Sequence, residues 1–186
     1  MKIRGYWRCP KGNSGIPLSR PPYGYKKDLE NPKFWVIDED AASIVRRIFQ
    51  LTIDGMGVEQ IATLLDREGI LTPLNYVASK GMNRGGVRNA PTATSWGKST
   101  IQKMLGLQAY CGDVINFKTY TKSYKNKKTR YNAPEDMAVF RDVHEPIVER
   151  AVWERVQEIR AKGTRKRPQK SGEISMFSGI LVDCGD

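Results

Sequence analysis

The stretch "WVIDEDAASIVRRIFQLTIDGMGVEQIATLLDREGILTP", Trp35 to Pro73, encodes two amphipathic helices in immediate succession. In the first, Ala41, Ile44, Val45, Ile48 and Phe49 recur at helical spacing, Asp38 stands at the N-cap position, Glu39 and Asp40 favour the first turn, and Gly55 stops the helix. The second repeats the scheme, with Val58, Ile61, Ala62 and Leu65 inward and Gly69 as the stop. Aliphatic stripes at this spacing are ordinarily core. A third stripe, Val152, Trp153, Val156 and Ile159 in "ERAVWERVQEIRAKG", adds another helix near the C-terminal side.

Between these helices the composition changes. "ILTPLNYVASKGMNRGGVRNAPTATSW" is interrupted by Pro73, Gly81, Gly85, Gly86 and Pro91, has no clear period and reads as a long loop over 70–97. It carries Lys80, Arg84 and Arg88 and no acid, so it is either a loop that orders on phosphates or a solvated insertion. It runs into "TSWGKSTIQKML", Thr94 to Leu105, whose Gly-Lys-Ser-Thr has the look of a phosphate-binding loop. Such a loop needs a glycine five residues before the Gly-Lys pair and a buried strand ahead of it. Thr92 occupies the glycine position, and the polar, proline-interrupted run from Asn89 to Ser95 cannot be a central strand. The segment instead predicts a helix from Lys98 to about Leu107 with Ile101, Met104 and Leu105 inward and Lys98, Ser99, Gln102 and Lys103 on or near the other face. Lysine can approach guanine and glutamine can pair with adenine, while Ser99, Thr100 and the free N–H groups of the first turn suit phosphate. An ordinary capped helix is the plainer alternative.

Farther on, "DVINF" and "MAVFRDV" predict strands flanking a basic arm from Lys118 to Arg130. In the arm Lys118, Lys122, Lys125, Lys127, Lys128 and Arg130 alternate with Tyr120, Tyr124 and Tyr131. A two-stranded ribbon or loop of this composition suits tracking of a nucleic-acid backbone. The fold class expected is thus α+β: a small helical bundle with a helix-turn-helix-like recognition helix, then a short antiparallel sheet with a basic arm, then a C-terminal helix. A simple helix-turn-helix joins its helices by three or four residues, whereas the gap ahead of Lys98 is near thirty.

Charge supports the division. The 186 residues carry a net charge of +11, but residues 28–68 and 135–158 are acidic while 1–27, 69–112, 113–134 and 159–186 are basic. Segregation of this kind makes the acidic blocks scaffold and the basic blocks contact surface, and favours a polyanionic partner, nucleic acid before membrane. No apolar run is long enough to cross a membrane and "MKIRGYWRCPKG" lacks the core of a signal peptide, so a cytoplasmic protein is expected. Cys9, Cys111 and Cys184 are far apart and form no Cys-x-x-Cys pair, which argues against a disulfide framework and against zinc. His144, the single histidine, reads as a structural residue.

Several pieces, in order, carry a family resemblance: "PPYGYKKD" at Pro21–Asp28, the stretch from Trp35 to Pro73, Trp96 ahead of "STIQKMLGLQAYCGDV", "HEPIVERAVWERV" at His144–Val156, and "MFSGILVDCG" at Met176–Gly185. From about Gly12 onward the chain resembles the recombinase domain of the large serine recombinases, the phage integrase and mobile-element transposase group. The resemblance implies a middle module that binds one half of an attachment site as double-stranded DNA and self-associates within the full-length enzyme; the failed phosphate-loop pattern at Thr92 adds the expectation that no nucleotide is bound. In that family the nucleophilic serine lies in a preceding catalytic domain and zinc in a following ribbon domain. No residue here matches the former and only Cys184 begins the latter, so the expectation is a fragment, inactive alone, with no catalytic residue and no cofactor. The expected division is 1–27 as a basic arm, 28–163 as the DNA-binding domain, and 164–186 as a basic linker with the start of the ribbon. A general RNA- or single-strand-binding protein and a phosphate-handling enzyme are the competing readings.

Overall fold

The computed structural model describes residues 10–81, 93–121, 125–126 and 128–163. Helical turn α1 (Pro10–Asn13) leads to strands β1 (Tyr25–Lys27) and β2 (Trp35–Ile37), then helices α2 (Glu39–Ile53), α3 (Val58–Arg67), α4 (Pro73–Ser79) and α5 (Lys98–Leu105). A 3-10 turn (Gln108–Cys111) is followed by β3 (Val114–Asn116), β4 (Thr119–Thr121), β5 (Thr129–Tyr131) and β6 (Ala138–Phe140), and α6 (Arg150–Gly163) comes last. The α+β class expected from the sequence is the one found.

The apolar stripes converge. Ala42, Val45, Ile48 and Phe49 of α2, Ile61 and Leu65 of α3, Ile101 and Leu105 of α5, and Val156 of α6 are buried in one core with Tyr110. Burial of each Val, Ile, Leu or Phe among them contributes roughly 1.5–3 kcal/mol. Asp38 does occupy the N-cap of α2, but its carboxylate makes no cap bond and accepts instead from the Tyr76 hydroxyl at 3.0 Å. Gly55 and Gly69 end their helices with φ of +89° and +68°, a conformation that costs a side-chain-bearing residue strain.

Two expectations need correction. The segment 70–97 is not loop throughout, because α4 lies inside it. Thr72 caps that helix by accepting from Asn75 N at 3.4 Å, and Pro73 occupies its first position, where a missing N–H costs nothing. The capping signal was present in "LTPLN", but seven residues are too few for a period to show. The division at 27/28, for its part, cuts a folded hairpin. β1 pairs antiparallel with β2, Tyr25 opposite Ile37, and Tyr23, Tyr25 and Trp35 all belong to the core. The turn from Pro22 to Tyr25 closes at 3.0 Å with Gly24 at φ +99°. A Cβ there would come within 2.8 Å of Ile147 and 3.2 Å of Val45, so the bare glycine is what lets the hairpin lie on α2. Residues 12–18 are also docked: the buried Asn116 amide donates to Gly12 O and Ile16 O and accepts from Leu18 N. The basic N-terminal block is therefore, from Gly12 onward, part of the fold rather than an arm.

The strands after Cys111 form one nested hairpin. β3 pairs with β6 (Ile115 opposite Val139) and β4 with β5 (Tyr120 opposite Arg130), so the inner ribbon extends the outer pair. At the junction Phe117 has φ +57°, and Asn132, just after β5, clamps it by donating its N–H to Lys118 O at 3.0 Å and its Nδ2 to Phe117 O at 2.6 Å.

Candidate nucleic-acid interface

Helix α5 is two turns long, too short to be stable alone, and the fold holds it at both ends. At its start Trp96 is buried, its backbone N–H donates to Asp66 Oδ1 of α3 at 2.8 Å, and its indole donates to Ile70 O at 2.9 Å. Tyr23 packs edge-on against the Trp96 ring with centroids 6.1 Å apart. Gly97 forms the N-cap in extended conformation, leaving the first-turn N–H groups without a side-chain cap. At its end, Gln157 and Arg160 of α6 bond to α5 carbonyls, at Leu105 O and Gln102 O. Ile101, Met104 and Leu105 are buried, as the sequence predicts.

At 100° per residue, Ser99, Lys103 and Gly106 lie farthest from that buried stripe. All three are exposed. Gln102 is exposed too, but it stands on the flank, at the rim of a cleft that Met56, Gln157 and Arg160 also line. Thr100 is half-buried. Lys98 is exposed and reaches Glu59 of α3 at 3.1 Å, an ion pair in open solvent that contributes little. α3 and α5 pack against each other despite the thirty intervening residues. That pairing replaces the short turn of a simple helix-turn-helix.

The ribbon β4–β5 is the second group of predicted residues. Its strands are exposed or half-exposed throughout, and Tyr131 is 82% exposed. Tyr120 and Arg130, directly opposite, share one face, while Thr119, Thr121, Thr129 and Tyr131 share the other. Lys118 stands exposed at the base, with partial desolvation holding its ammonium below the ordinary lysine value. Lys125 and Lys128 are exposed near the tip. Arg84, Arg88, Lys122 and Lys127 lie outside the described residues.

Three features have no counterpart in the sequence expectations. Asp66 is one of two acids on α3, and nothing in the sequence marks it as the acceptor for a backbone N–H thirty residues on. Gln157 and Arg160 likewise look like solvent-facing residues of an amphipathic helix. The third is a cleft of about 480 Å³ whose lining includes Arg20, Lys26, Lys27 and Lys80 together with Tyr23 and Tyr76.

Behind the interface lies a polar anchor. Asp113 is fully buried and receives both arms of Arg150 at 2.9 and 2.7 Å, the Gln108 amide at 2.6 Å and Asp142 N at 3.2 Å. Burial pushes its pKa up, but these donors, Arg150 foremost, outweigh it and hold the carboxyl below the usual range. His144 is structural, as expected. It is buried beside Tyr25 and Trp35, its Nε2 is 2.8 Å from Ala109 O, and desolvation lowers its pKa. Among the described residues no cluster of three or more His, Cys, Asp or Glu side chains could hold a metal, and no helix is long and apolar enough to cross a membrane.

Residues 39–163, from the start of α2 to the end of α6, match the family model described as Recombinase. The chain belongs to the Recombinase family. This agrees with the large serine recombinase resemblance read from the sequence. Among curated relatives of this Recombinase chain, the uncharacterized protein YefB of Bacillus subtilis (strain 168) is 28% identical over 117 residues, covering 63% of this chain and 36% of YefB. A solved chain described as "Sequence Requirements of the Listeria innocua prophage attP site" superposes with a TM-score of 0.51 at 18% identity over 82% of this chain and 48% of its own. Another, described as "Crystal Structure of a LSR-DNA Complex", gives 0.51 at 16% identity over 87% and 40%. At those identities the likeness is one of fold, and the Recombinase chain spans less than half the length of each of these relatives.

Proposed function

We propose that this chain binds duplex DNA sequence-specifically and recognises half of an attachment site for site-specific recombination by a serine recombinase. The observation that carries the reading is the presentation of α5. Its apolar face is buried, its start is anchored through Trp96, and Ser99 and Lys103 point outward, with Gln102 on the flank, from a helix whose first N–H groups have no side-chain cap. A rigidly held helix with donors of defined geometry is what direct readout of base edges needs. The ribbon supplies the sequence-independent part, with Arg130 and Lys128 aimed at phosphate. The family assignment and the fold shared with an LSR–DNA complex support the same reading. Self-association belongs to it at the level of the full-length recombinase, and no metal or nucleotide enters this module's binding step.

Selection of duplexes from a random-sequence library, followed by anisotropy titration of the recovered duplex, its scrambled version and its single strands, tests this. The expected result is enrichment of a defined site and a preference for the recovered duplex of at least about a hundredfold over the scrambled one. Equal binding of all three ligands, or tighter binding of single strands, would move the chain to the class of general nucleic-acid binders.

A further inference from the structure

The C-terminal end of α5 is held by α6 through a relay with defined geometry. Gln157 Nε2 donates to Leu105 O at 2.7 Å, Arg160 Nη1 donates to Gln157 Oε1 at 2.7 Å, and Arg160 Nη2 donates to Gln102 O at 3.3 Å. Two of these acceptors, Gln102 O and Leu105 O, belong to the last turn of α5, where the helix dipole is negative; Gln102 O also accepts from Gly106 N at 3.3 Å, so Arg160 adds a second bond to it. The guanidinium lies against Gly106, where an added Cβ would sit 3.2 Å from Arg160 Nη1. Gly106 has φ −88°, which any residue adopts. Glycine here is a matter of space for Arg160 and not of backbone conformation.

We propose that Arg160, seated by Gln157 over Gly106, is a positioning residue that sets the orientation of α5 and so decides which base edges its outward side chains reach. The inference rests on the DNA reading of α5 given above. A helix of eight residues is about 12 Å long, so a pivot of about 5° around the Trp96 anchor displaces its far end by about 1 Å. Base-edge hydrogen bonds do not survive such a shift, because their length is confined to a few tenths of an ångström. Phosphate contacts from long, flexible lysines do survive it. Loss of the Arg160 relay should therefore lower discrimination between sequences and leave sequence-independent binding intact. That pattern separates positioning from direct contact, since an arginine bound to phosphate would weaken all duplexes alike.

The test uses the full chain with Arg160→Ala, Arg160→Lys and Gly106→Ala, titrated on the selected duplex and on its scrambled version across a salt series. Amide hydrogen exchange of the free proteins runs alongside. For Arg160→Ala the preference for the selected duplex should fall on the order of tenfold, with scrambled-duplex affinity and salt slope unchanged. Exchange should quicken at Met104 to Gly106 while α2 keeps its protection. Gly106→Ala, which displaces the guanidinium by a few tenths of an ångström, should give a smaller loss in the same direction, and Arg160→Lys should restore part of it. If Arg160→Ala destabilises the whole fold, α2 protection reports it and Gly106→Ala carries the test. Unchanged preference in both variants overturns the inference, as does an equal loss on both duplexes with a flatter salt slope. A wild-type chain that prefers no duplex overturns the DNA reading of α5 itself, and the wild-type titration identifies that case.

Discussion

Asp113 is a charge with no access to water, and it is tolerated because Arg150, Gln108 and the Asp142 N–H occupy its oxygens. Removing Arg150 leaves that carboxylate buried and short of its cation, the condition under which buried pairs show their largest mutational effects. Arg150→Ala should be destabilising at pH 7, more so than Asp113→Ala, which frees an arginine already in contact with solvent. The sign with pH follows from the lowered folded pKa of Asp113. Its contribution is present above the unfolded value of about 4 and is lost as pH falls through the lower folded value. The gap in urea midpoint between wild type and Arg150→Ala should thus narrow from pH 7 toward about pH 3. A gap that stays constant over that range would mean that Arg150 stabilises by packing alone. Gly112 shows a different kind of residue-scale demand in the same region: its φ is +88° and a Cβ would lie 2.6 Å from His144 O, so both conformation and space exclude a side chain.

The ribbon β4–β5 is an element whose composition and structure agree. Neither face is covered, the strands are three residues long, and what holds the ribbon in place is the Asn132 clamp at its base. Such an element can meet a polyanion but adds little to the core. Lys128→Ala with Arg130→Ala should weaken the selected and scrambled duplexes about equally and flatten the salt slope by roughly one unit for each phosphate left without its cation. Thermal stability should change little, because both side chains are exposed. Loss of sequence preference in this pair, with preference retained in Gln102→Ala, would make the ribbon the reader and α5 the holder. Gln102 stands on the flank of α5, so Lys103 and Ser99 are the better placed of the outward residues, and Gln102→Ala is the more demanding comparison.

For the whole molecule the relevant quantity is the segregation of charge. The two acidic blocks coincide with α2–α3 and with the approach to α6, which build the core, and the basic blocks supply α5, the ribbon and the cleft walls. A net charge of +11 laid out this way should give DNA binding that weakens steeply with salt. With about six to ten phosphates engaged, the log–log slope should be about −5 to −9, and a slope shallower than about −2 in an anisotropy series would exclude an electrostatic mode of binding.

The helices α2, α3, α5 and α6 were legible because burial of one helical face imposes a period that their eight to fifteen residues display without reference to anything else. The strands flanking the basic arm were legible from their β-branched and aromatic content, and the family from the order of its pieces. Three things depended on the tertiary structure. The membership of residues 12–27 in the domain rests on Asn116 and on Gly24 against Val45 and Ile147, contacts between residues far apart in the chain that no local pattern encodes. The pairing of α3 with α5 across thirty residues, fixed by the Asp66 carboxylate on Trp96 N, is invisible for the same reason. The direction in which α5 points is settled by anchors on three other segments, Asp66, Ile70 and Arg160. A helical period determines which face is buried, but the placement of a two-turn helix is determined by the groups that bond its ends, and those come from elsewhere in the fold.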